Sequence, residues 1–468
     1  MTVVPRDKAI SGSKGSGHHD VEAVEVREVT ATTAGGEPKT PRRRMRLPTI
    51  AENNRIFVQL LAALPAAGGS TISVMLVISD VWALISLGMG RFRMRYAPTD
   101  RWVVVPAVLY TVVMLASIAG HAESLAGLGP ATKPLMYLSP LLVIPRLRAA
   151  AKVDYFMLFV RAAPLCGLLA LPIMGVQYFT GASRIAAGAG NAFPFAMICV
   201  FVGFVGLLNL RGASVRMAAY AVAGFFACSL GLALSGTRTV WPVFFVNLVF
   251  AIWFLVSSRS GRLRKRLVVC SGVLLAVFVI FGYAHERDRI SMLVNDVHAV
   301  FQGTVPEDSL SIRMALWSAG AQAFSERPVF GFGANHRHDI IDRVRIPVKT
   351  PAGEPQRYAK TRVTHFHNGF LTAGIDAGIL GVIVTAMLLF SPLAIAFAAP
   401  RDERFRMRIT FALFLFFTYA ITGSFNIMFG QDLIDALFVS GLLMLATSIA
   451  TGPAAPIPPG ERTSANAP

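Results

Sequence analysis

Few residues in this chain have side chains that could do chemistry, and they stand at the ends of long apolar runs. Thr364-His365-Phe366-His367-Asn368-Gly369-Phe370-Leu371 lies where a polar loop meets an apolar run. Packing does not require a His-Asn pair at the mouth of a membrane helix, and an imidazole near neutrality can take up and release a proton. Two arginines far away in sequence offer a planar, permanently charged fork that suits phosphate and carboxylate oxygens. Arg238 sits in Ser235-Gly236-Thr237-Arg238-Thr239, and Arg313 precedes Trp317 by four residues, on one face of a predicted helix. Arg184 stands alone in another short connection.

These residues need a scaffold that brings them to one place, and composition says what kind. The 468 residues are 54% hydrophobic and 15% charged, with a mean hydropathy of +0.57. Those values exclude an ordinary soluble globule and imply an all-α, polytopic integral membrane protein. The net charge of +18 lies in short clusters between apolar runs, so it reads as a topology signal and predicts no nucleic-acid partner.

A membrane helix needs about 20 apolar residues. Twelve candidate spans follow: 54–67, 71–90, 102–119, 133–145, 153–175, 192–210, 217–234, 239–257, 267–284, 372–399, 408–423 and 431–450. Gly68-Gly69-Ser70 is a tight turn between the first two. Every second connection is basic: Arg91 to Arg101; Arg146, Arg148 and Lys152; Arg211 and Arg216; Arg259 to Arg266; Arg401 to Arg408. The connections between them carry almost no charge. By the positive-inside rule both termini are cytoplasmic and residues 285–371 form a large outer loop with short helices of its own. The expected organisation is therefore a disordered basic cytoplasmic tail at 1–48, nine membrane helices over 49–284, the loop at 285–371, three more helices over 372–450, and a disordered tail at 451–468.

An arginine on the outer face runs against the topological bias. Arg238 and Arg184 are either placed there for a ligand or snorkel to lipid headgroups. Within the loop, 310–324 has apolar residues at helical spacing (Ile312, Ala315, Leu316, Ala319, Ala323). Arg327-Pro328-Val329-Phe330-Gly331-Phe332-Gly333 breaks that helix, its glycines suiting a turn with close backbone approach. The basic run 337–362 is either a solvated loop or a contact surface for anionic lipid or glycan. Beyond His367-Asn368, the glycines Gly374, Gly378 and Gly381 predict a small-residue face for close helix packing. Asp376 between them is a functional candidate, a cap or an arginine's partner. Asp80 and Arg161, isolated charges inside spans, suggest a structural pair.

The four cysteines, Cys166, Cys199, Cys228 and Cys270, have no metal-ligand spacing and read as packing residues. Gly17-His18-His19-Asp20 in the tail is no more than a lone His pair. No metal site or cofactor is expected.

Together these motifs resemble the O-antigen ligase and O-antigen polymerase superfamily, over about residues 180–425. The resemblance rests on the outer Arg238, on Arg313 with Trp317, on Pro328 with Gly331 and Gly333, and on His367-Asn368 followed by Gly378 and Gly381. It implies a GT-C-like membrane glycosyltransferase with about 12 transmembrane helices in the bacterial inner membrane, its active site in the periplasm. The donor would be a glycan on undecaprenyl diphosphate. The acceptor would be a lipid A-core hydroxyl for a ligase or a lipid-linked glycan for a Wzy-like polymerase, with inversion at the anomeric centre and no metal. On this reading Arg238 and Arg313 bind the diphosphate and His367 is the general base. Asn368, His365, Trp317 and Arg184 line the substrate site, among membrane lipids. A secondary transporter is the alternative from another class, although no internal repeat supports it.

Overall fold

The computed structural model describes residues 49–257 (apart from 124, 151 and 152), 291, 309–348, 357–360 and 363–449. The two expected tails, the span at 267–284 and Cys270 lie outside them. Among the described residues eight helices are long and apolar enough to cross a membrane. They match eight of the twelve expected spans, and the chain is a multi-pass membrane protein. Of the other three described spans, the first is two pieces, Ile50–Ala63 and Pro65–Gly68, joined at Leu64 before a proline. The fourth is broken among Thr132–Leu135, Met136–Leu138 and Ser139–Arg148, with Pro134, Pro140 and Pro145 interrupting it. The last described helix, Asp432–Thr447, has 16 residues.

The bundle is built around Ala192–Leu207. It is apolar on every side and every residue in it is buried, as expected of a helix surrounded by helices. Small residues let its neighbours approach. A Cβ on Gly224 would lie 2.5 Å from Pro164 Cα, and one on Gly167 would lie 2.7 Å from the Gly224 carbonyl. Cys166, Cys199 and Cys228 fill this contact as buried free thiols, as packing residues should. Outer helices instead expose apolar stripes, such as Val74, Val77, Ile78, Val81 and Ile85 on Thr71–Gly88, a surface suited to lipid.

The basic connections meet at one end of the bundle. Arg148 pairs with Asp100 (2.6 Å) and donates to the Ala446 carbonyl, Arg404 pairs with Asp154, Arg406 donates to the Ser257 carbonyl, and Arg408 reaches Asp402 and the Ser448 carbonyl. The expected Asp80–Arg161 pair does not form. Asp80 accepts from Ser139 (2.6 Å), and Arg161 is exposed on its helix.

At the opposite end, the helix Gly369–Ala398 departs from the single span expected at 372–399. It breaks at Ala377 (φ −139°) and Gly378 (φ 63°). The short first piece folds against the longer second one: a Cβ on Gly381 would lie 2.3 Å from the Ala373 carbonyl, and one on Gly374 would lie 3.3 Å from Val382. Gly378 and Gly381 therefore serve a sharp bend, while a Cβ on Gly374 would also lie 3.0 Å from Phe324 of the separate helix Ser309–Glu326, as the expected packing face would have it.

Unwinding a helix orphans backbone groups, which must find partners elsewhere. The glycine turn after Pro328 supplies them. Ile379 N–H donates to the Pro328 carbonyl (2.7 Å), Phe332 N–H to the Ile375 carbonyl (2.7 Å), and Gly333 N–H to the Asp376 carbonyl (3.0 Å). In an unbroken helix Ile379 N–H would have bonded to the Ile375 carbonyl, so the turn satisfies both halves of the lost bond. The contact is backbone on backbone, and side chains would block it. A Cβ on Gly331 (φ 71°) would lie 2.5 Å from the Ile375 carbonyl, and one on Gly378 would lie 2.2 Å from the Val329 carbonyl. Both require glycine on conformation and on space.

Described loop residues cover this joint. Helix Ser309–Glu326 spans the predicted 310–324, and helix Arg337–Arg343 follows the turn. Leu316, Ile341, Val344, Phe366 and Ile375 form a small core between them. The all-α expectation needs one amendment: Arg345–Val348 and Arg357–Lys360 pair as an antiparallel hairpin with Arg345 opposite Lys360. Part of the basic run thus satisfies its backbone groups within itself.

Candidate functional site

Helix Ser309–Glu326 crosses directly over the segment that carries the histidines. At the crossing a Cβ on Gly320 would lie 2.7 Å from Leu371 and 3.0 Å from Phe366. Phe366 is fully buried in the loop core. His365 and His367 flank it in sequence, and their ring centroids lie 4.4 Å apart.

The two histidines then differ. His365 Nε2–H donates to Asn426 Oδ1 (2.8 Å), which also accepts from Ile427 N–H, so this imidazole is anchored in one tautomer. His367 has φ 52°, in the left-handed region, and its buried Nδ1 has no hydrogen-bond partner. A histidine held in a sparsely populated conformation with a free ring nitrogen is a functional candidate on geometry alone. Asn368, not His367, caps the helix: its Oδ1 accepts from Leu371 N–H (3.0 Å).

Electrostatics sets the state of these groups. Burial, then His365, then Arg313 push the His367 imidazole down to about 4. Burial and Arg337 lower His365, against the upward pull of its bond to Asn426. Arg313 is lowered by burial and by its neighbour Arg238. Two guanidiniums from segments 75 residues apart are therefore held near each other in a half-buried position, with His367 in reach of one of them. Like charges withdrawn from water repel, and an anion between them relieves the repulsion. Trp317 joins the same face, and its indole N–H is buried without a partner.

Arg184, expected to line the substrate site, bonds the turn next to it. Its Nε donates to the Ser235 carbonyl (3.0 Å) and its Nη2 to Thr237 Oγ1 (2.8 Å). Thr237 in turn donates to the Ala192 carbonyl (3.2 Å). Arg184 thereby braces the turn that presents Arg238.

Sequence reasoning missed two residues. Arg337, hidden in the basic run, pairs with Asp376: Nε donates to Oδ1 (2.9 Å) and Nη2 to Oδ2. This pairs the buried carboxylate at the helix break and fixes the short loop helix to it. Asn426, in a connection without charge, anchors His365. The reach of a hydrogen bond across 61 residues leaves no trace in local pattern. Among the described residues no group of three or more His, Cys, Asp or Glu is placed to hold a metal ion.

Comparison with known proteins bears on the same region. Residues 223–386 match the family model described as O-Antigen ligase. An O-antigen ligase of Escherichia coli (strain K12) is 22% identical over 214 residues, covering 46% of this chain and 50% of that protein. The chain thus spans about half the length of that curated relative. It resembles the O-antigen ligase and polymerase superfamily, and the matched residues include Arg238, Arg313, His367 and Asp376.

Proposed function

We propose that the protein is a glycosyltransferase that moves a glycan from undecaprenyl diphosphate to a hydroxyl of a lipid A-core acceptor, as an O-antigen ligase. The reaction takes place at the periplasmic face of the bacterial inner membrane, with both termini in the cytoplasm. The observation that carries the reading is the grouping of Arg238 with Arg313 and of Arg313 with His367, just before the start of helix Gly369–Ala398. Read as an anion clamp beside a proton acceptor, that grouping supports the proposal.

The chemistry uses both parts. The acceptor oxygen attacks the anomeric carbon from the side opposite the diphosphate, so the centre inverts. The bond from that carbon to the phosphate oxygen breaks, and its electrons leave on the lipid diphosphate. The negative charge that develops there is met by the two guanidinium forks, which bind phosphate oxygens in pairs. The acceptor's proton goes to His367, whose Nδ1 has no competing partner. A preorganised donor to developing charge contributes about 10²–10³ in rate, and a general base about 10²–10⁴.

The low affinity of His367 for protons fits this cycle. Positive charge at Arg313 helps keep the imidazole neutral and ready. A diphosphate bound to that arginine cancels part of the charge and raises the imidazole's proton affinity. The base therefore strengthens when the donor is in place.

A deletion strain tests the reading. Its lipopolysaccharide is run on a gel beside an extract of its lipid-linked glycans. Full-length polymer retained on the lipid carrier, with bare core, is the expected outcome. Single repeats on the core, or lost exopolysaccharide with normal lipopolysaccharide, would assign a Wzy-like polymerase instead. No change in any glycan would remove glycosyl transfer and leave transport to be tested.

A further inference from the structure

The Nδ1 of His367 is buried without a hydrogen-bond partner, so no bond at that atom orients the imidazole. Its backbone sits at φ 52°, a conformation that persists only where the surroundings fix it. A base works from a defined position, which packing or a hydrogen bond to a neighbour must supply. Against this ring packs the imidazole of His365, with centroids 4.4 Å apart and planes at 48°. We propose that Asn426 is a positioning residue for the base: it anchors His365, and the anchored His365 ring holds the His367 imidazole. The proposal rests on the glycosyl-transfer reading for the role of His367 as base.

Packing sets the place of Asn426, which follows helix Phe405–Phe425 in extended backbone. Two glycines make room for the buried Met428 just beyond it. A Cβ on Gly369 would lie 2.3 Å from Met428 Cβ and 3.3 Å from the Gly423 carbonyl, and one on Gly423 would lie 2.7 Å from Met428 Cβ. The connection that carries Asn426 is thereby pressed onto Gly369, and only Asn368 separates that contact from His367.

An amide side chain can face either way, and here the Ile427 N–H decides. It donates to Asn426 Oδ1 (2.8 Å), where an amide turned round would set N–H against N–H. An amide oxygen only accepts, so the His365 nitrogen 2.8 Å from it, Nε2, carries the proton. Thr364 Oγ1 lies 3.4 Å from the other ring nitrogen, Nδ1. Turning the His365 ring over would break the bond to Asn426, so ring and tautomer are fixed together. The anchor is also uncharged. Burial and Arg337 keep the His365 imidazole below its ordinary value despite the bond to Asn426. A carboxylate in the same place would favour the imidazolium, whose charge would oppose protonation of His367 beside it.

The full chain in lipid nanodiscs tests this with the wild type, Asn426→Leu, His365→Ala and the double variant. Leucine keeps the branched shape of asparagine and removes the acceptor. Asn426→Leu should lower kcat about ten- to a hundredfold, as misplacing a catalytic group does. Its donor KM and its affinity for undecaprenyl diphosphate should stay like those of the wild type. His365→Ala should lose at least as much kcat, and the double variant should be no slower than His365→Ala, because Asn426 acts through His365. Nuclear magnetic resonance of ring nitrogens in isotopically labelled histidine reads the same contacts without turnover. The His365 signals, identified by their loss in His365→Ala, should show the Nε2–H tautomer. The His367 signals, identified by their loss in His367→Ala, should shift or broaden in Asn426→Leu. Wild-type kcat in Asn426→Leu overturns the proposal, as does a further loss in the double variant or His367 signals that Asn426→Leu leaves untouched. If the purified wild type transfers no glycan, the transfer reading fails by itself, and the His367 signals decide whether Asn426 sets that ring.

Discussion

Arginines occupy both ends of this bundle, and their surroundings differ. Arg148 sits against Asp100, Arg408 against Asp402 and the Pro400 carbonyl, and Arg146 donates to both the carbonyl and the hydroxyl of Ser79. Arg146 and Arg408 are almost wholly buried. At the other end Arg313 is set in reach of another cation, Arg238, and that turn is braced by a third arginine, Arg184. Arginines matched to carboxylates and carbonyls hold a structure together. Arg313 and Arg238 differ in standing close enough to each other for their charges to oppose, which suits a place where an anion arrives. Arg337, bound to Asp376, belongs with the first kind although it lies at the second end.

Substitutions should separate the two kinds. The largest loss of transfer is expected from His367→Ala, about 10²–10⁴ in kcat, with Arg238→Ala and Arg313→Ala each losing about 10²–10³. All three should insert and melt like the wild type, as read by membrane fractionation and thermal unfolding in detergent. Arg313→Lys should recover little, because an ammonium is a point charge without the planar fork. Transfer at the wild-type rate by any of these variants would remove that residue from the mechanism.

The opposite signature is expected from the matched arginines. Arg408→Ala leaves Asp402 and two carbonyls without their partner, a change that costs about 3–5 kcal/mol for a buried pair and less here because Asp402 is half exposed. Protein that survives should transfer at the normal rate but melt earlier. A melting point equal to the wild type's, with lost activity, would put Arg408 in the wrong class. Gly378→Ala should be as damaging to the joint as any single change, since it meets both a left-handed backbone and the Val329 carbonyl. Both melting and transfer should fall together.

Arg184→Ala should have an intermediate effect. Its guanidinium braces the turn carrying Arg238, so its loss should raise the donor KM more than it lowers kcat, by about tenfold for two lost hydrogen bonds to a positioned turn. A fall in kcat as large as that of Arg238→Ala would instead place it against the diphosphate.

The pH profile gives the smallest and sharpest test. A base acts unprotonated, and His367 is held at about 4, below the ordinary 6.5. In kcat/KM, which reports free enzyme, activity should persist below pH 6.5 and fall only as pH drops through about 4. In kcat, which reports the donor complex, the acid limb should sit higher, because the bound diphosphate restores proton affinity. Coincident limbs near 6.5 would mean that His367 does not feel the arginines.

Much of this was legible in the chain. The alternation of basic and uncharged connections was legible, because charge near membrane spans follows a simple rule. It did not reveal that Arg146, Arg148 and Arg408 are also bonded into the fold. The turn at Gly331 and Gly333 was legible because positive φ leaves few residues to choose from. The break at Gly378 was not, since glycines four apart in an apolar run read equally well as a packing face. What decides between them is the Pro328 turn supplying the missing bonds from 50 residues away. Trp317, Arg313 and His367 were singled out by type and placement. Asn426 and Arg337 were not, because each takes its place only through a contact distant in sequence.

The central claim is that Arg238 and Arg313 form one clamp for a lipid diphosphate, with His367 acting beside it on the proton. The most direct measurement is the affinity of the purified chain in nanodiscs for undecaprenyl diphosphate, in the wild type, Arg238→Ala, Arg313→Ala and His367→Ala. The account predicts binding at least about tenfold weaker, or 1.4 kcal/mol, in each arginine variant, with His367→Ala binding nearly as well as the wild type yet transferring no glycan. Wild-type affinity in both arginine variants would contradict it.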